Sequence, residues 1–304
     1  NSGVWAQMSI DPDLNMAYFP VEAPTGDYYG GHRPGNNLFA GSVVAVDLET
    51  GERAWHFQTV HHDIWDWDLP AAPVLADITV DGREIKALVL PTKQSWLFVL
   101  DRETGEPVWP IEEVPVEAGD VPGEWYSPTQ PIPTKPPPVD RIEFGIDDLV
   151  DYTPELRAQA EEIVAKFRIG SIYTPPSVAV ADGTFGTLAV PNSTGGVNWP
   201  GGAFDPETGM LYVPSVTGAF AADLTPGNPD RMNVRYTRGT RAFPDGPRGL
   251  PLTKPPYGRI TAITRGDVRF KFSRTQCSSK AKSTVLLLLE TPIRSQKSRI
   301  ASGG

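Results

Sequence analysis

A single cysteine, Cys277, among 304 residues leaves no partner for an intramolecular disulfide and excludes a cysteine-rich metal site. No apolar run approaches the ~18 residues a membrane helix needs; Val285 to Leu289 is far too short to span a bilayer. Charge is sparse at 21% and acids outnumber bases, giving a net −10 that argues against a nucleic-acid surface. The chain opens Asn1-Ser-Gly-Val-Trp, with no Met, no charged n-region and no apolar h-region. It therefore reads as a mature or truncated piece, and the missing signal does not argue against export.

What the chain has in excess is Gly (29), Pro (32) and Trp (eight), a profile that suits an all-β protein with many tight turns. A repeat carries that expectation further. Asp47-Leu-Glu-Thr-Gly-Glu-Arg-Ala-Trp55 returns as Asp101-Arg-Glu-Thr-Gly-Glu-Pro-Val-Trp109 and again as Asp205-Pro-Glu-Thr-Gly-Met-Leu-Tyr212. Asp11-Pro-Asp-Leu-Asn-Met-Ala-Tyr18 is a weaker copy with Asn in place of Gly. Alternating apolar residues flank the turns, so each copy predicts a hairpin in which Asp and Thr bond local backbone and Gly takes positive φ. A period of about 50 residues is the size of a four-stranded propeller blade.

Residues 110–170 interrupt the repeat. Val114 to Val139 is Pro-rich and reads as extended loop; Thr153 to Phe167 is the one good helix, with Thr153 as N-cap and Pro154 as first residue. Strand is expected to resume at Ile172. At Thr264 the repeat is lost and the charge reverses. Nine of the 27 Lys/Arg but only two of the 37 acids lie from there onward, so the first 263 residues carry −17 and the rest +7. The reading is a partial propeller over 1–263 and a basic tail over 264–304, foreign to the fold, frame-shifted or disordered.

Chemistry concentrates in Val60-His-His-Asp-Ile-Trp-Asp-Trp-Asp68: two histidines, three aspartates and two tryptophans in nine residues. Titratable groups among large aromatics are costly to bury without partners, so such density marks a site. A polar loop with packing tryptophans and capping aspartates is the plain alternative. Adjacent histidines point opposite ways on a strand, so His61 and His62 cannot both face one ion.

This stretch, with Gly41 to Gln58 before it and Leu90-Pro-Thr-Lys93-Gln-Ser-Trp-Leu-Phe-Val-Leu-Asp101 after it, resembles the quinoprotein dehydrogenases, over about residues 3 to 263. These are eight-bladed β-propellers that use pyrroloquinoline quinone (PQQ), and the membrane-type glucose dehydrogenase with its soluble relatives is the nearest branch. The resemblance implies about half of the blades, docking tryptophans after the turns, a periplasmic location, and oxidation of a sugar, polyol or alcohol. Electrons would pass to ubiquinone or cytochrome c.

Residue by residue, it implies Asp66 as catalytic base, a carboxylate of ordinary pKa near ~3.9 that is ionised at neutral pH. Lys93 would reach the quinone oxygens, Trp5 would stack on the quinone ring, and Asn198 would contact the cofactor. A strand-end cap, a surface lysine, core packing and a turn-forming Asn are the respective alternatives. Asp63 is expected to be structural. The metal is expected to be a hard cation, Ca²⁺ or Mg²⁺, held by oxygens. Thr25, Asp66 and Asp68 are its candidate ligands, because the Tyr18 to Gly31 stretch lacks the Asn with which alcohol and methanol dehydrogenases bind calcium. Asp68 also resembles the extra carboxylate of lanthanide-using alcohol dehydrogenases, so a calcium- or lanthanide-dependent alcohol dehydrogenase is a second reading. A non-catalytic propeller scaffold is the third, although such scaffolds lack the His-Asp-x-Trp-Asp and Thr-Lys elements.

Overall fold

The computed structural model describes residues 2–180, 183–240 and 244–264, together with the backbone of 271–272. The repeat sets its frame. Asp47 Oδ1 accepts from the amides of Glu49 and Thr50, the Gly51 amide returns to the Asp47 carbonyl at 2.9 Å, and Gly51 sits at φ 73°. Gly105 and Gly209 close the next two turns in the same way, at φ 79° and 67°. The weaker copy substitutes Asn15 at φ 55°, a residue that tolerates the left-handed region better than most.

Strands β1 (Ser9–Asp11), β2 (Met16–Pro20), β3 (Ser42–Asp47) and β4 (Arg53–Gln58) form the first antiparallel sheet, in that order. β5 (Val74–Val80), β6 (Arg83–Pro91) and β7 (Leu97–Asp101) form the second. Within residues 110–170, β8 (Ile111–Pro115) and β9 (Thr129–Pro133) make a two-stranded hairpin where the Pro-rich sequence predicted only loop. Helix α1 (Pro154–Val164) carries the expected Thr153 cap, whose side chain accepts from the Leu156 amide, and ends three residues before Phe167. Strand resumes later than expected, because Ile172 and Tyr173 pack into the core from a turn.

Beyond α1 come β10 (Ser177–Val178), β11 (Thr187–Ala189), β12 (Ala203–Asp205), β13 (Met210–Val216), β14 (Phe220–Pro226), β15 (Tyr236–Arg238), β16 (Gly258–Thr264) and β17 (Lys271–Phe272). β14 is the common partner of β10, β11 and β15. β12, β13, β16 and β17 make the third sheet that carries a repeat turn. Its last pairing, Thr261 with Phe272, lies past the expected boundary at 264; residues 265–270 and 273–304 of the expected tail lie outside the described residues.

The second sheet is buried on both faces, which explains its unbroken apolar runs at Ala87 to Leu90 and Leu97 to Leu100. Leu88, Leu90, Phe98 and Leu100 pack with Tyr18, Val43 and Ala45 of the first sheet. Ala87, Val89, Leu97 and Val99 face Leu211, Val213 and Ile263 of the third. Trp55 closes the first seam: its Nε1 donates to the Arg102 carbonyl, shared with the Tyr18 hydroxyl, and its ring lies so close to Gly105 that a Cβ there would come within 2.7 Å. In the second seam Trp109 and Gly209 line a cavity of about 260 Å³.

Antiparallel pairing divides the blades into two ends. The Asp-x-x-Thr-Gly turns gather at one end. The connections after β2, β4 and β6, two long loops and a five-residue turn, gather at the other, and they carry Tyr28, Asp66 and Lys93.

Candidate functional site

Lys93 stands at the tip of the Thr92–Trp96 turn between β6 and β7. The Ser95 amide bonded to Thr92 O and the Thr92 amide bonded to Trp96 O close that turn. The glycine loop after β11 covers the lysine. The Gly196 amide donates to Lys93 O at 2.9 Å, and a Cβ on Gly195 would lie 2.6 Å from Lys93 Cγ. Its buried ammonium reaches Asp68 Oδ2 at 2.7 Å and Asp66 Oδ1 at 3.2 Å. One cation therefore serves two carboxylates. Asp68 is anchored from the other side by the Ala23 amide, at 2.7 Å from Oδ1.

Asp63 shapes the loop that presents these groups. Its carboxylate is buried and accepts from the amides of Trp65 and Trp67, each at 2.8 Å, which is the structural role the sequence suggested. Trp67 is fully buried and Trp65 donates its Nε1 to Thr174 O, so both tryptophans pack the loop onto the core. His61 and His62 do point apart: His61 Nε2 meets Glu113 and His62 Nε2 meets Glu124. Asp66 occupies the left-handed region at φ 64°, a strained backbone for a non-glycine residue. Its side chain is 21% exposed, and the Tyr28 hydroxyl donates to its Oδ2 at 3.4 Å.

The electrostatics depart from the expected free carboxylate. Burial pushes the Asp66 carboxyl far up, to about 8; Lys93 opposes the rise, and Asp68, Asp27 and Asp63 add to it. Asp63 is pushed up to about 6, again mainly by burial. Lys93 is held above its ordinary value in spite of burial, because Asp66 and Asp68 both stabilise its charge. The cluster is short of positive charge. Further cationic charge entering the cluster would bring the Asp66 carboxyl back down.

The other candidate residues sit further out. Trp5 is 46% exposed, in the segment before β1. Asn198 is half-buried in the loop that covers Lys93, and its amide closes its own turn onto Thr194 O and the Trp199 amide. Thr25 is exposed, two residues beyond the Ala23 amide that holds Asp68. Sequence reasoning missed Tyr28, Glu124 and Arg33. Arg33 donates to the Asp63 and Gly26 carbonyls and ties the loop after β2 to the loop after β4. Only the Glu124-Trp-Tyr triplet within the Pro-rich segment hinted at a buried polar anchor there.

Among the described residues no three His, Cys, Asp or Glu side chains converge as a metal cluster. The donor chemistry fits a hard divalent ion: Asp66, Asp68, the Tyr28 phenol and Thr25 offer only oxygen, and the Lys93 ammonium is the cation shared by the two carboxylates. The residues also fit a planar anionic quinone. Lys93 supplies a fixed ammonium; Trp5 exposes its ring further out, in the segment before β1.

The sequence matches the family described as "PQQ: Glucose/ethanol/alcohol dehydrogenase, beta-propeller domain" over residues 1–303. It is 32% identical over 280 residues to the quinate/shikimate dehydrogenase (quinone) of Acinetobacter baylyi, covering 85% of this chain and 34% of that protein. It is 34% identical over 285 residues to the quinoprotein glucose dehydrogenase of Escherichia coli, with the same coverages. The chain thus spans about a third of the length of these relatives. The solved quinohemoprotein alcohol dehydrogenase ADHIIG from Pseudomonas putida HK5 superposes with a TM-score of 0.53 at 24% identity, covering 88% of this chain and 34% of that one, a likeness of fold. Repeat, blades, site loops and sequence identity agree: the chain belongs to the PQQ-dependent glucose/ethanol/alcohol dehydrogenase β-propeller family.

Proposed function

We propose that the protein carrying this chain oxidises a hydroxyl of a sugar, polyol, cyclic hydroxy acid or alcohol, with Asp66 as the base and a hard divalent cation beside it. The observation that carries the reading is the shared ammonium: Lys93 between Asp66 and Asp68, buried and fixed by three converging loops. A scaffold has no evident use for so costly an arrangement. PQQ, when bound, supplies the oxidising power, accepting the two electrons and the hydrogen that leave the carbinol carbon. Everything else is asked of the chain.

Asp66 Oδ takes the hydroxyl proton, and its partial exposure leaves it the reachable carboxylate of the cluster. Lys93 and the cation lower the cost of the charge Asp66 carries before it accepts that proton. Tyr28 orients the carboxylate through its 3.4 Å contact. Trp5, and Asn198 through its loop over Lys93, are the proposed cofactor contacts; Thr25 is a proposed neutral metal ligand. The names of the relatives, quinate/shikimate and glucose dehydrogenases, support a ring polyol as substrate. Asp68 is held by Ala23 and Lys93, one bond to each oxygen, and each oxygen keeps a lone pair for a Ca²⁺, Mg²⁺ or lanthanide ion. Electrons would pass on to ubiquinone or a cytochrome, in the periplasm.

The test is dye reduction by the full-length protein, loaded with PQQ, against glucose, quinate, glycerol and ethanol, with and without Ca²⁺. Turnover that needs both PQQ and the cation supports the reading; no turnover of any of the four under full loading contradicts it.

A further inference from the structure

Glu124 comes from the Pro-rich excursion, 62 residues from His62 and 94 from Gly30, yet its carboxylate holds both. Oε1 lies 3.0 Å from His62 Nε2 and accepts from the Trp125 amide at 2.9 Å; Oε2 accepts from the Gly30 amide at 2.6 Å. The side chains of His62 and Glu124 are 0% and 1% exposed. His62 is held on its far side by Gly35 O at 2.8 Å, and its ring meets Trp125 edge-on at 4.8 Å. Polar groups this deeply buried are kept only with such a full set of partners.

The packing around it leaves no slack. A Cβ on Gly30 would come within 2.6 Å of His62 Nε2, and one on Gly31 within 2.3 Å of Gly123 O in the excursion itself. Three segments are interlocked, the loop after β2 meeting the excursion at backbone distance and the His62 ring at side-chain distance, and the loops after β2 and β4 lead to the same atom group. Four residues on from His62 the chain reaches Asp66, in its strained backbone state. Two residues back from Gly30 it reaches Tyr28, whose hydroxyl bonds Asp66 Oδ2. That bond is long at 3.4 Å, so a small shift of either arm breaks it.

We propose that Glu124 is a positioning residue for the reaction: its two oxygens fix the two loops that meet on Asp66, and it acts through Asp66 without touching substrate. The proposal rests on Asp66 being the base. It gives the excursion a role, since the Pro-rich segment then supplies the clamp that aims the carboxylate.

The test is a double-mutant cycle in the full-length, PQQ- and Ca²⁺-loaded protein, using a substrate it oxidises, with hydrogen exchange at the Gly30 amide as a readout independent of turnover. Glu124→Gln keeps shape but gives up one acceptor. It should lower kcat by about 10- to 100-fold, the scale of a ~1 Å misplacement, with KM little changed, and speed exchange at Gly30. Added to Asp66→Asn it should cost nothing more, because it acts through the group already removed. His62→Gln, which leaves Glu124 in place and cuts one arm, should show the same loss and the same non-additivity, and it serves if Glu124→Gln does not fold. Wild-type kcat in a folded Glu124→Gln or His62→Gln protein, or full additivity with Asp66→Asn, overturns the proposal. Wild-type kcat in Asp66→Asn overturns instead the assignment of the base.

Discussion

The aspartates at the two ends of the blades are the same residue put to opposite uses. At the turn end, Asp47 and Asp205 are half-buried, and hydrogen bonds from Thr50 and Thr208 hold their carboxyls below the ordinary range. Asp11 is buried, which pushes it up, yet its bonds to Arg102 and the turn amides win and leave it lowered. At the loop end burial wins, and Asp63 and Asp66 are pushed up. The donors differ: turn carboxylates see backbone amides and hydroxyls at close range, whereas Asp66 shares one ammonium with Asp68 and has one long phenol contact. Local hydrogen bonds settle a carboxylate as structure, as the Trp65 and Trp67 amides do Asp63 in spite of its burial; Asp66, with acidic neighbours and little counter-charge, is left without such a clamp.

Substitutions can break that contrast. Asp66→Asn should have the largest effect, lowering kcat by about 10²–10⁴-fold with PQQ affinity little changed, read by steady-state kinetics and cofactor titration. Lys93→Ala should lower kcat by roughly 10²-fold and weaken PQQ binding as well, since its charge acts in ground and transition states alike. Asp63→Asn leaves one of two buried amides poorly paired. It should cost about 1–3 kcal/mol in denaturant unfolding, with little loss of kcat per folded molecule. Asp47→Asn, the turn-end counterpart, should leave kcat unchanged and lower Tm slightly.

Much of this was legible from local physics. The Asp-x-x-Thr-Gly turns and the Thr153 cap are decided by residues two to four apart, and both formed as the sequence implied. Lys93 was singled out through resemblance to a family, for the quinone oxygens; its contact with Asp66 was not legible, since nothing in a 27-residue spacing states one. The raised Asp66 carboxyl was not legible, because it depends first on burial in the folded loops and then on Asp68, Asp27 and Asp63 gathering near it. Nor was Glu124, whose partners come from two other loops, or the β8–β9 hairpin inside a segment whose prolines read as loop.

The two ends also give opposite pH slopes. Carboxyls lowered by folding add stability above their ordinary range and lose it as pH falls. Raised ones do the reverse, so without a cation the loop end loses stability as pH climbs from about 4 through the values near 6 and 8. Thermal melts should show Tm falling across that window, and Ca²⁺ should flatten the fall. The most direct measurement is infrared titration of the protonated-carboxyl band removed by Asp66→Asn. A midpoint near about 8 without cation, moving into the ordinary carboxylate range with Ca²⁺, is the predicted result. A midpoint already in that range without cation, and unmoved by Ca²⁺, would contradict it.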